Sequence, residues 1–73
     1  MIEFGKRLKT LRLAKNLKQS DMAVLLEITS RHYQDMEYGK INIPMMTLIF
    51  LADYFGVSLD YLTGRTSNPE INK

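Results

Sequence analysis

The 73-residue chain has no cysteine and only one histidine. Without cysteine there is no disulfide framework, no thiolate nucleophile and no cysteine-based zinc site, and the composition fits a reducing interior. His32 has no co-ligand within sequence reach and reads as a surface residue. The four glycines are scattered singly, so no glycine-rich phosphate loop is present. Asp53 and Asp60 are separated by an expected turn, with no base or metal partner near them. Enzymatic readings therefore lack their parts, and neither a cofactor, a metal nor a small-molecule ligand is implied. Long apolar runs are missing too. The longest apolar-rich stretch, Ile43 to Ala52, falls far short of the roughly 20 residues that a membrane span needs. No charged, then apolar, then small-residue pattern marks a signal peptide at the start. A soluble, cytoplasmic protein is expected, with no membrane partner.

What the chain does have is charge, unevenly placed. Its net charge is only +2. Yet Lys6, Arg7, Lys9, Arg12, Lys15 and Lys18 face Glu3 alone in the first twenty residues, whereas residues 41–73 are slightly acidic. Such asymmetry suits a protein with one face toward a polyanion, although a solvated lysine-rich helix has the same composition. The length allows one domain. A domain of this size buries only about 60% of the surface of its unfolded chain, so association with a second copy would add needed stability.

Apolar periodicity is helical throughout, and no strand alternation or repeat is seen. A first helix is expected from Glu3 to Lys15, with Phe4, Leu8 and Leu11 on one stripe, and Asn16 suits a left-handed end to it. The second runs from Gln19 to Leu26 and the third from Ser30 to Tyr38, ended by the permissive backbone of Gly39. Pro44 suits the first position of a fourth helix reaching Phe55. Ser58 caps a short fifth helix, Leu59 to Leu62, which Gly64 stops. Residues 65–73 read as a polar, flexible tail beyond a 1–64 domain. The fold class is all-α, a compact five-helix bundle.

The centre of this arrangement is Leu17 to Lys40. Met22, Ala23 and Leu26 share one helical face, and Tyr33 and Met36, with Glu37 beside them, share another. Glu27-Ile28-Thr29 leaves room only for a tight turn, with Ile28 plugging the angle and the Thr29 hydroxyl capping the third helix. Two helices on a tight turn with one small core form a helix-turn-helix. The ordered set Gln19, Ala23, Leu26, Ile28, Thr29, Tyr33, Met36, Glu37 and Gly39 resembles the Cro/repressor-type, XRE-like helix-turn-helix family. The resemblance extends from about Phe4 to Gly64. It implies a lambda-repressor-like domain that binds double-stranded DNA as a transcriptional regulator, with repression the expected role.

With Tyr33 inward and a turn of roughly 100° per residue, Arg31 and Asp35 fall opposite the core, flanked by Gln34 and Tyr38, and Ser30 lies at the tip. A recognition helix presents its N-terminal half to base edges. Arg31 suits guanine O6 and N7, Gln34 suits adenine, and Ser30 reaches a base or a phosphate. Asp35 would be repelled by phosphates unless it accepts from cytosine or braces Arg31, and bracing is the expected role. Gln19, at the start of the second helix, sits where free N–H groups and the helix dipole favour an anion. The resemblance makes it a backbone clamp. Lys18, Tyr38, Lys40 and Asn42 flank the groove, while Lys6 and Lys9 add long-range attraction. The resemblance also implies an ion pair between Arg12 and Glu37 that ties the first helix to the end of the third.

Two features depart from the family pattern. Glu27 stands where glycine is common, and a positive φ there would cost a non-glycine residue on the order of 1 kcal/mol. On the fourth helix, Leu48, Leu51, Ala52 and Phe55 already form a core stripe. Met46, Phe50 and Tyr54 are large and apolar on a neighbouring face where charge is commoner, and Val24 is similarly unexpected. Either the fifth helix and tail cover this patch, or it is a homodimer interface. Alternatives to a repressor are an autoregulating partner protein, such as an antitoxin or a restriction-system controller, and a protein-interaction module on the same fold. The latter would be expected to lose Gln19, Arg31 and the flanking lysines, all of which are present.

Overall fold

A computed structural model of the chain describes residues 2–70. Five helices follow one another: α1 (Ile2–Ala14), α2 (Gln19–Leu26), α3 (Ser30–Glu37), α4 (Met45–Phe55) and α5 (Leu59–Leu62). Among the described residues there is no strand. The expected all-α, five-helix architecture is the observed one.

Each boundary has a local cause. Asn16 takes the left-handed conformation (φ 58°) that ends α1, one of the few non-glycine residues that adopts it at little cost. Ahead of α3 the Thr29 hydroxyl accepts from the His32 N–H at 3.0 Å, and ahead of α5 the Ser58 hydroxyl accepts from the Tyr61 N–H at 3.0 Å. Gly39 (φ 74°) follows the end of α3 and Gly56 (φ 67°) ends α4. Glu27 ends α2 in a left-handed conformation (φ 57°, ψ 43°). The strain foreseen for a non-glycine residue in that turn is thus present.

Three expected boundaries are corrected. Helix α1 spans Ile2–Ala14, so Lys15 lies in the turn and not in the last helical position. Helix α3 stops at Glu37, with Tyr38 as its C-cap (φ −80°, ψ −6°). Pro44 is the N-cap of α4, not its first residue, because its ψ of 145° is extended. Its carbonyl accepts from the N–H groups of Thr47 and Leu48.

The core gathers Phe4 and Leu8 from α1, Met22 and Ala23 from α2, Tyr33 and Met36 from α3, and Leu48, Leu51 and Ala52 from α4. Val57 and Leu62 close it on the α5 side. Ile28 is half-buried against this core, in the angle between α2 and α3. Helix α1 approaches the end of α3 so closely at Gly5 that a Cβ there would collide with the Glu37 carbonyl oxygen. A glycine permits that backbone contact where any side chain would wedge the helices apart.

Residues 65–70 form no helix, but polar bonds tie them to the body. The Ser58 N–H donates to the Pro69 carbonyl at 2.9 Å, and Arg7 Nη1 donates to the Thr66 carbonyl at 3.2 Å. Residues 71–73 of the expected tail lie outside the described residues. Among the described residues, neither α5 nor the stretch after it covers the apolar face of α4: Met46, Phe50 and Tyr54 remain 75%, 43% and 38% exposed. Among the described residues no helix is long and apolar enough to cross a membrane.

Candidate nucleic-acid interface

Helix α3 divides sharply by side. Tyr33, Met36 and Glu37 are buried. Ser30 and Arg31 are exposed and Gln34 and Asp35 half-exposed, so all four remain open to a partner. Arg31, its side chain 81% exposed, lies 3.6 Å from the Asp35 carboxylate one turn on. The two charges that the expected brace needs are therefore within reach of each other, without a hydrogen bond between them. In water such a pair contributes only about 0–1 kcal/mol to folding, and it leaves most of the guanidinium fork open to a partner. Directly after α3 come exposed Tyr38 and Lys40, with the Lys40 ammonium 5.6 Å from the centre of the Tyr38 ring. Asn42 is exposed in the loop that follows.

The orientation of α3 rests on a buried polar cluster. Arg12 Nε donates to Glu37 Oε2 at 2.6 Å and Arg12 Nη2 donates to Glu37 Oε1 at 3.3 Å. Both residues are buried. The Tyr33 hydroxyl donates to the same carboxylate, and Arg12 Nη1 donates to the Leu17 carbonyl at 2.8 Å. No buried side-chain nitrogen or oxygen among the described residues lacks a partner, so the cluster avoids the penalty of a half-satisfied network. Burial by itself pushes the Glu37 carboxyl up. Hydrogen bonds from Arg12, Tyr33 and Gln19 outweigh that and hold it below the ordinary carboxylate range. Burial and the bond to Glu37 push the Tyr33 phenol well up. The bond to Glu37 raises Arg12 against its own desolvation.

The expected ion pair is thus present, and larger than the sequence suggested. From the sequence, Tyr33 has only an apolar role. Yet Tyr33 and Glu37 stand four apart on one helix, and a buried phenol needs a hydrogen-bond partner. Gln19 joins the cluster as well, its Nε2 donating to Glu37 Oε1 at 3.2 Å. That bond places the start of α2 beside the end of α3. At the same helix start the Asp21 carboxylate accepts from the Lys18 N–H at 2.8 Å. One N–H expected to be open to an anion is therefore already taken. An acid three residues after an N-cap is a recognisable signal for this bond.

The pattern of buried and exposed positions, with this buried clasp between α1 and α3, agrees with one known family. The helix-turn-helix family model matches residues 8–62. The chain belongs to the helix-turn-helix family. Two regulators of Bacillus subtilis (strain 168) are similar to it. The SPbeta prophage-derived HTH-type transcriptional regulator YonR is 42% identical over 59 residues, 81% of this chain and 55% of that protein. The HTH-type transcriptional regulator YqaE is 38% identical over 68 residues, 93% and 59% respectively. The chain spans little more than half the length of these relatives. Among solved structures, the restriction-modification controller protein C.AhdI from Aeromonas hydrophila superposes with a TM-score of 0.71 at 30% identity. That match covers 84% of this chain and 92% of the other.

Proposed function

We propose that residues 1–64 form a sequence-specific double-stranded DNA-binding domain of a cytoplasmic transcriptional regulator, a repressor, with α3 in the major groove. The observation that carries this reading is the division of α3, buried along one side and along the other offering Ser30, Arg31, Gln34 and Asp35 to a partner. Arg31 reads guanine, braced by Asp35. Gln34 reads adenine, and Ser30 contacts a base or phosphate at the helix tip. Lys18, Gln19, Tyr38, Lys40 and Asn42 contact the backbone on either side and supply affinity without sequence choice.

One such helix reads few bases, and a homodimer would double the contact, setting half-sites one helical turn or a multiple apart. The exposed Met46, Phe50 and Tyr54 on α4 are the proposed interface. Phe50 and Tyr54 already stack at 6.2 Å between ring centres. The Lys15 ammonium lies 5.2 Å from the Tyr54 ring, at the edge of the patch.

Selection from a pool of random duplexes tests the proposal. A consensus should emerge, palindromic if two copies bind, with binding that weakens steeply as salt rises. Retention of every duplex alike would contradict sequence-specific reading. The likeness to C.AhdI favours a second, narrower version, in which this chain controls a restriction system. Under that version the selected site would lie upstream of the regulator's own gene, beside genes of a nuclease and a methyltransferase.

A further inference from the structure

The Glu37 carboxylate accepts four hydrogen bonds, two on each oxygen: from Arg12 Nε and Nη2, from the Tyr33 hydroxyl and from Gln19 Nε2. Three come from buried groups. The fourth comes from a half-exposed side chain at the first position of α2. A carboxylate can only accept, whereas a carboxamide has a donating and an accepting end. Glu37 therefore dictates how the Gln19 amide is turned, nitrogen inward and oxygen away. One N–H of that nitrogen is used, leaving the second N–H for a group outside the fold. The same guanidinium that holds Glu37 also holds the Leu17 carbonyl, just ahead of α2. One cluster thus holds both the Gln19 side chain and the backbone two residues ahead of it.

We propose that Glu37 is a positioning residue for DNA binding, acting through Gln19. The buried ion pair then presents a phosphate-contacting N–H in addition to joining α1 to α3. This rests on the reading of Gln19 as a phosphate contact. An amide ordered before binding loses less freedom when it meets its partner. The Glu37 charge is no obstacle so close to DNA, because Arg12 neutralises it at 2.6 Å.

Two measurements on the whole chain test the proposal. The first is nuclear magnetic resonance of the Gln19 side-chain amide in the free protein. Its two protons should be well separated in shift, one of them protected from exchange, and should collapse to free-glutamine behaviour in Arg12→Met/Glu37→Met. That pair of changes leaves no orphaned buried charge. The second is binding to a selected duplex. Gln19→Met should weaken it about tenfold in the wild-type background, the size of one charge-assisted hydrogen bond. In the Arg12→Met/Glu37→Met background, where the contacts are coupled, the same change should cost less than about twofold.

A tenfold loss in both backgrounds would overturn the proposal and leave the ion pair a purely structural role. If the double variant does not fold, the wild-type amide decides alone, and averaged, freely exchanging protons would overturn it. An intact amide signature with no loss on Gln19→Met would instead overturn the phosphate role of Gln19. Failure to bind any duplex would overturn the DNA-binding reading itself.

Discussion

On the proposed reading, Arg31 and Gln19 stand in opposite relations to sequence choice, although both would lie beside the same groove. Arg31 offers an open guanidinium fork, steadied by Asp35 at 3.6 Å. Arg31→Ala should cost about 1–3 kcal/mol on the selected site and relax base choice at one position per half-site. Gln19→Ala should weaken binding to selected and scrambled duplexes nearly alike. Fluorescence titration of both variants on both duplexes checks this, and equal losses for Arg31→Ala on both would end its base-reading role. Glu37 belongs to the fold first. Removing it as Glu37→Ala orphans a buried guanidinium and should destabilise the domain by about 3–5 kcal/mol, where a surface pair would contribute about 0–1. A sign follows for pH. The Glu37 carboxyl titrates lower in the folded state than in the unfolded chain. The stability it confers is complete above the ordinary glutamate value, about 4.3, and is lost as pH falls through the depressed folded value. Urea midpoints across that acid range should fall steeply for wild type and more gently for Glu37→Gln. Parallel curves would mean that Glu37 does not link folding to acid.

Among the elements, the turn between α2 and α3 carries a visible cost. Glu27 holds a left-handed conformation that a side chain disfavours. Glu27→Gly should raise stability by about 0.5–1 kcal/mol, the relief of left-handed strain being partly offset by the freer unfolded chain. A lowered urea midpoint would show that Glu27 contributes something its backbone does not reveal. Element type and order were legible in the residues, since the periodicity of Phe4 and Leu8, of Met22 and Ala23 and of Leu48 and Leu51 encodes which side of each helix faces inward. Caps at Thr29 and Ser58 were legible for the same local reason. Helix ends were less so, because Lys15, Tyr38 and Pro44 each sit one position outside a helix, where the residue type alone does not decide the boundary. Within the site, the brace between Arg31 and Asp35 followed from four-residue spacing. The bond from Gln19 to Glu37 did not, because it joins residues eighteen positions apart on different helices, and neither did the close approach of α1 to α3 at Gly5. Nothing in a lone glycine says which carbonyl it will touch.

At the scale of the whole molecule, the basic first helix, the polar side of α3 and the bare apolar face of α4 suggest a division of labour between nucleic acid and a second copy. Phe50→Glu places a charge in the centre of that face and should hold the protein monomeric at concentrations where wild type sediments as a dimer. A variant that still dimerises would move the interface elsewhere. A wild type that remains monomeric both free and on a palindromic site would exclude the dimer.

The most direct test of the central claim is to titrate the isotope-labelled chain with its selected duplex and follow every amide by nuclear magnetic resonance. If α3 reads the major groove, the shifts will concentrate at Ser30, Arg31 and Gln34, with Gln19 and Lys40 beside them. A map centred on the far side of the fold, or shifts no larger with the selected duplex than with a scrambled one, would contradict the account.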